Sequence, residues 1–350
     1  MNKAISLLLM LTILLSLSAC GGSTSPETTE AITESPTTLP PETASPTTLP
    51  VETEAPTEPA GILSFGIFDI TFRAPGESWE VYDGTIPKEA VTFYSDSEAV
   101  AAFENGIVTA VGQGTTMIHA TYEGDTVTCV IRNVFETKDL SRDPLLEPPE
   151  TQEDTAEFFD DAVFVGDSVT LMLYNHAMAH KCLGKAQFLV RGSYSAFHAV
   201  NNTMLMSFQG GSMKLPDAIA ATGAKKVFFM LGTNDIGAYG IEKTIANWET
   251  MVEQIREQVP EIEIYIQSMT PVWTGGEKGS LNNENTDRFN EELMSFAVEF
   301  DCTYVDIASY MKDATGGMAT QYCSDQYVHL TEQGAEVWVK VLKAFAENRK

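Results

Sequence analysis

Between residues 158 and 350 the chain alternates short apolar runs with longer segments of helical period, and no other feature limits its fold as tightly. The runs are "AVFVG" (162–166), "AQFLV" (186–190), "KKVFFMLG" (225–232), "EIYIQSM" (263–269) and "CTYVDI" (302–307). Between them lie segments such as "IEKTIANWETMVEQIREQV" and "NTDRFNEELMSFAVEF", whose apolar residues recur every three to four positions. Runs that are apolar at nearly every position suit strands buried on both faces, and strands separated by helices pair in parallel. The expected fold is a doubly wound α/β sheet, which binds its ligands beyond the carboxyl ends of the strands.

Residues 62–135 follow another rule. Seven short runs of period two, "FDITF", "WEVYD", "AVTFY", "VAAF", "GIVTAV", "TMIHATY" and "TVTCVI", are separated by turn residues, with Asn105-Gly106 as a strong hairpin signal and Glu123-Gly124-Asp125 as a second. This predicts a small all-β sandwich joined to the α/β region by a linker over 136–157. Ahead of it, residues 21–61 contain "SPTTLP" twice at a spacing of ten and have almost nothing to bury, so a disordered Thr/Pro/Glu-rich stalk is expected. Residues 1–20 read as an export signal: Lys3, an apolar run, then small residues ending in Cys20. The chain has a formal charge of −28 and no basic residue between Lys3 and Arg73. That balance excludes nucleic acid as a partner and argues against adhesion to anionic lipid by surface charge.

Three polar segments each follow an apolar strand and should therefore meet at one edge of the sheet. In "VFVGDSVTLML" Gly166 permits a tight turn and Ser168 stands where the next helix begins, facing the positive end of its dipole. By itself such a serine is more often a helix cap than a nucleophile. In "FLVRGSYS" Gly192 can bring a backbone N–H close to a ligand, and in "FFMLGTNDIG" Asn234 can offer its side-chain amide to the same crevice. A fourth element, "CSDQYVHLTEQGAEVW", places Asp325 and His329 on a loop that leads into the last helix.

Gly166-Asp167-Ser168, Gly192, Gly232-Thr233-Asn234-Asp235 and the "VHLT" around His329, in this order, resemble the four blocks of the SGNH (GDSL-type) hydrolases across residues 158–350. The resemblance implies a flavodoxin-like α/β fold and a serine hydrolase of carboxylic esters. It also implies Ser168 as nucleophile, His329 as general base, and an oxyanion hole formed by the N–H of Ser168, the N–H of Gly192 and the Asn234 amide. The family usually carries its aspartate three residues before the histidine. Here Gln326 holds that place and Asp325 lies one residue earlier, so Asp325 serves as the triad carboxylate only if the loop bulges by one residue. Two further resemblances concern the N-terminal half. "VTFYSDSEAVAAFENGIVTAVGQGTTMIHATYEGDTVTCVI" is similar to bacterial immunoglobulin-like domains of group 2, modules that serve as spacers, adhesins or carbohydrate-proximal domains, of which the spacer is the expectation here. "LSAC" followed by "GG" resembles the lipobox of bacterial lipoproteins, which implies lipid attachment at Cys20 and a place on the outer face of the cell membrane; the alternative is an ordinary secretory signal.

The remaining reactive residues are read more plainly. His176 and His180, four apart on a predicted helix, could chelate a metal, but no third ligand is near in sequence, so they are taken as surface or packing histidines and no metal or cofactor is expected. His198 is a pocket or structural residue, and His119 belongs to the β region. Cys129, Cys182, Cys302 and Cys323 lack the close spacing of a zinc site, and both disulfides and free buried thiols stay open. The expected activity is hydrolysis of small acyl esters, chiefly acetyl esters of carbohydrates. A lysolipid or short-chain lipolytic esterase is the nearest alternative, and a non-catalytic glycan-binding adhesin the alternative of another class.

Overall fold

The computed structural model describes residues 61–137 and 140–349; the export signal, Cys20 and all but Gly61 of the stalk lie outside them. The first region consists of β1 (Asp69–Phe72), β2 (Ser78–Glu80), β3 (Thr92–Ser95), β4 (Ala101–Glu104), β5 (Ile107–Ala110), β6 (Gly114–Tyr122) and β7 (Asp125–Asn133). They form two sheets, ordered β1-β7-β6-β3 and β2-β5-β4. Both close on one core in which Phe103 and Val108 of the smaller sheet meet Ile70, Ile118 and Ile131 of the larger. The two hairpin signals act as predicted. Asn105 and Gly106 have φ of 53° and 78°, Glu123 and Gly124 of 49° and 99°, and this double left-handed turn matches the twist of the strands it joins.

The second region consists of β8 (Ala162–Gly166), α1 (Ser168–His180), β9 (Gln187–Val190), α2 (Ala196–Asn201), the hairpin β10 (Met206–Phe208) and β11 (Gly211–Met213), α3 (Leu215–Thr222), β12 (Lys226–Met230), α4 (Ile236–Tyr239), α5 (Ile241–Gln258), β13 (Glu263–Gln267), α6 (Asn283–Glu299), β14 (Thr303–Val305) and α7 (Glu332–Glu347). Its five-stranded sheet runs β14-β13-β12-β8-β9, parallel throughout. Alternate residues divide between its faces. Val163, Val165, Val227, Phe229, Ile264 and Ile266 join Trp248 of α5 and Phe289 of α6, whereas Phe164, Phe228, Met230 and Tyr265 join Leu173 of α1 and Trp338 of α7. On the second face Phe188, Phe164, Phe228 and Tyr265 occupy one register across four strands and stack at 5.1, 4.8 and 4.4 Å. Each such pair adds about 0.5–1.5 kcal/mol beyond its buried area. The connection order reverses between β8 and β12, which opens a crevice beyond their carboxyl ends.

Of the segment between the two regions, residues 140–157 are fastened to the α/β region and do not stand clear of it. The Arg142 guanidinium pairs with Asp313 at 2.6 Å and donates to the Thr274 carbonyl, Leu145 N–H donates to Lys312, and Thr155 Oγ1 donates to Lys343 O. The two regions also share a buried polar seam. Arg132 of β7, fully buried, donates to the Asp69 carboxylate and to the Asp313 carbonyl. Lys312 lies 3.0 Å from Asp287 and 3.7 Å from Asp69, and Asp306 accepts from the Phe68 N–H. Removing one member of so buried a pair leaves an unanswered charge, which costs about 3–5 kcal/mol. The four cysteines of the described residues are free: Cys129 is buried and Cys182, Cys302 and Cys323 partly so.

Candidate active site

The crevice is assembled by strand register. Gly166, Val190 and Met230 are paired neighbours at the ends of β8, β9 and β12, so the segments that follow leave the sheet side by side. Ser168 opens α1 two residues past Gly166. A side chain at Gly166 would meet Thr170 Oγ1 at 1.9 Å and the Met230 carbonyl at 2.8 Å, so this turn requires glycine. Asp167 caps the helix, its Oδ1 accepting from the Val169 N–H at 2.8 Å. The Ser168 N–H, at the first helical position, has no partner within the helix.

The loop that leads into α7 brings the other half. His329 Nε2 lies 3.0 Å from Ser168 Oγ, and His329 Nδ1 lies 2.6 Å from Asp325 Oδ2. The other Asp325 oxygen accepts the backbone N–H groups of Tyr327, Val328 and His329 at 2.9–3.2 Å. Burial pushes the Asp325 carboxyl up, but hydrogen bonds from the His329 ring and these N–H groups outweigh it and hold the group below the usual range. The additional residue, Gln326, is accommodated by a left-handed backbone with φ of 56°. The neighbouring loop braces this bulge: Trp273 N–H donates to Tyr327 O at 2.8 Å. A side chain at Gly276 would come within 2.0 Å of Gln326 O. Sequence reading missed Gly276, whose role is set wholly by this contact.

Gly192 begins an exposed turn in which Tyr194 N–H donates to Arg191 O and Ser193 is left-handed; the Gly192 N–H takes no partner among the described residues. Asn234 reaches the crevice, where its amide donates to two acceptors of the protein. One hydrogen goes to Asp167 Oδ2 at 2.7 Å and the other to the Tyr194 carbonyl at 3.2 Å. The reason is Asp167, a fully buried carboxylate that needs a donor. Burial raises its pKa to about 6, with Asp235 adding to the rise. Asp235, also pushed by burial to about 6, accepts from Ala196 N–H and Phe197 N–H and so holds the start of α2 beneath the Gly192 turn. Neither aspartate had been assigned a role from sequence, although each stands beside a residue that had.

The other histidines fall outside the crevice or at its margin. His198 Nδ1 pairs with Ser195 Oγ at 2.9 Å, and burial lowers its pKa. His119 lies between Asp96 and Thr128 on the β region. His176 and His180 do have a third group beside them: Glu332, the first residue of α7, lies 2.7 and 2.8 Å from their ring nitrogens. Sequence alone could not join residues 152 positions apart.

A serine hydroxyl, an imidazole and a carboxylate in line, with unpaired backbone N–H groups nearby, can activate an oxygen nucleophile and stabilise an oxyanion. No curated protein matches the chain. Similar solved structures include a GDSL-like lipase from Bacteroides thetaiotaomicron, 16% identical, covering 59% of this chain and 93% of its own at a TM-score of 0.44. A carbohydrate esterase of family 3 from Talaromyces cellulolyticus is 14% identical, with 53% and 95% covered at a TM-score of 0.37. The model of the GDSL-like Lipase/Acylhydrolase family matches residues 164–337, which span β8 to the first turns of α7 and hold every group of the crevice; this part of the chain is a GDSL-like acylhydrolase (SGNH) domain.

Proposed function

We propose that the chain is a serine esterase that removes small acyl groups, above all acetyl, from carbohydrate esters. The observation that carries the reading is the continuous relay of Ser168, His329 and Asp325 at 3.0 and 2.6 Å. Ser168 Oγ attacks the ester carbonyl while His329 Nε2 takes its proton. Asp325 fixes the imidazole tautomer and faces the charge that forms. The oxyanion is met by the N–H groups of Ser168 and Gly192 and by Asn234, whose longer bond to Tyr194 O yields to the developing negative charge. His329 then returns the proton to the departing alcohol, and water, activated by the same imidazole, releases the acid.

The rim supports a polar alcohol. Arg191, Gly192, Ser193 and Gln326 are exposed on the loops that carry Gly192 and His329, and they offer donors and acceptors to a sugar where a long acyl chain would need apolar walls. The stalk, a lipid on Cys20 and an immunoglobulin-like spacer of β1–β7 complete the proposal: an enzyme held at the outer face of the membrane.

The test is hydrolysis of p-nitrophenyl acetate, butyrate and octanoate, followed by acetylated xylan, acetylated peptidoglycan and lysolipid. Acetate should be preferred and acetylated glycan consumed; preference for octanoate and lysolipid would replace this reading with the lipolytic one, and inertness toward all would favour an adhesin. Cys20→Ser should release the chain from membranes, and unchanged partitioning would end the anchor proposal.

A further inference from the structure

His176 and His180 lie one turn apart on α1, and Glu332 comes from the first turn of α7. Their donor atoms, His176 Nδ1, His180 Nε2 and Glu332 Oε1, all fall within 4.8 Å of one another. One carboxylate oxygen thus faces two imidazoles whose ring centres are 4.4 Å apart, and each ring must turn a protonated nitrogen toward it. A divalent cation in the place of those two protons would take three lone pairs at once. Bond lengths of about 2.0–2.2 Å to nitrogen and oxygen require donors about 3.5 Å apart. Glu332 and His180 are exposed and free to rotate by that much, while His176, 7% exposed, gives the site a fixed point.

We propose that His176, His180 and Glu332 form a site for a divalent transition cation of the zinc class, with water completing the coordination. Two imidazoles and one carboxylate suit zinc, and poorly suit magnesium or calcium, which take oxygen ligands. The site is separate from the catalytic groups but joined to both halves of them. Ser168 opens the helix that carries the two histidines, and His329 stands three residues before Glu332. A bound cation cross-links α1 to the start of α7, and so holds together the two elements that set the Ser168–His329 distance. Its role is that of a clamp: it touches neither substrate nor the reacting atoms.

The experiment uses the exported chain after chelation and dialysis, titrated calorimetrically with zinc chloride and, separately, magnesium chloride, with thermal unfolding measured in parallel. The expected result is one zinc per chain, no magnesium binding, and a rise in Tm of roughly 5–10 °C at a hundredfold excess over Kd. Glu332→Gln and His180→Ala change exposed side chains and leave the fold intact, so each should weaken zinc binding by roughly tenfold or more and, at the same zinc concentration, cut the Tm rise to about half or less. Ser168→Ala should bind zinc like the wild type. Absence of stoichiometric zinc binding, or binding unchanged in both Glu332→Gln and His180→Ala, would overturn the site; so would loss of binding in His329→Ala alone, which would move the cation to the triad. Because binding and Tm are read without any ester, these outcomes do not depend on the proposed activity.

Discussion

The protein buries aspartates in two places and answers them differently. In the seam between the β region and the α/β region, Asp69 and Asp313 meet Arg132, Lys312 and Arg142, full charges that cancel theirs. In the crevice, Asp167 and Asp235 meet helix N-termini and an amide, and burial lifts both to a pKa of about 6. The seam spends polar groups on holding parts together. The crevice uses neutral donors to orient its polar groups, and leaves the charge-bearing pair of Asp325 and His329 half exposed, where a substrate can reach it.

The contrast predicts that variants of the Ser168–His329–Asp325 relay lose activity and keep stability, and that seam variants do the reverse. Ser168→Ala carries the largest expected effect: kcat on p-nitrophenyl acetate should fall by about 10⁴ or more with Tm nearly unchanged. A residual rate above about a hundredth of wild type would break the assignment of Ser168 as nucleophile. Asp325→Asn should lower kcat by about 10²–10⁴, since the wrong tautomer is then favoured; a loss below tenfold would mean that the imidazole is oriented without the carboxylate.

Arg132→Met addresses the other side. It takes from Asp69 its hydrogen-bonded partner and leaves only Lys312, 3.7 Å away, so urea unfolding should show a loss of about 3 kcal/mol while kcat of the folded fraction stays within about twofold. A catalytic defect with intact stability would dissolve the distinction.

The smallest effect concerns pH. Asp167 has a folded pKa raised above its unfolded value, so its contribution to stability is complete below about pH 4 and is lost as pH rises through about 6. Asp167→Asn removes that dependence. Compared with wild type, it should gain up to about 3 kcal/mol between pH 4 and pH 7. Parallel stability–pH curves for the two proteins would show that Asp167 is not held against its charge.

What was legible in the sequence depended on distance along the chain. Turn pairs such as Asn105-Gly106 declare themselves locally because both residues must be left-handed, and the strands of the sheet read from uninterrupted apolar runs. The polar blocks could be placed because each follows a strand directly. What stayed hidden depends on contacts across the fold: the engagement of Asn234 by Asp167, the closeness of Gly276 to Gln326, the seam around Arg132, and the meeting of Glu332 with two histidines of another helix. None of these leaves a periodicity or a spacing. The shifted aspartate lies between the two cases: a bulge could be anticipated, but that Gln326 would be its left-handed residue could not.

The packing of α7 against α1 also bears on timing. The proposed nucleophile, Ser168, and the proposed base, His329, are separated by 161 positions, and the crevice lies between the first strand of the sheet and the last helix. A chain still emerging, N-terminus first, therefore presents Ser168 long before any imidazole can reach it. On the proposed chemistry, hydrolysis begins only when the loop ahead of the final helix has docked, so a nascent or C-terminally clipped chain is expected to be inert, and the first turnover would report that folding of the domain is complete.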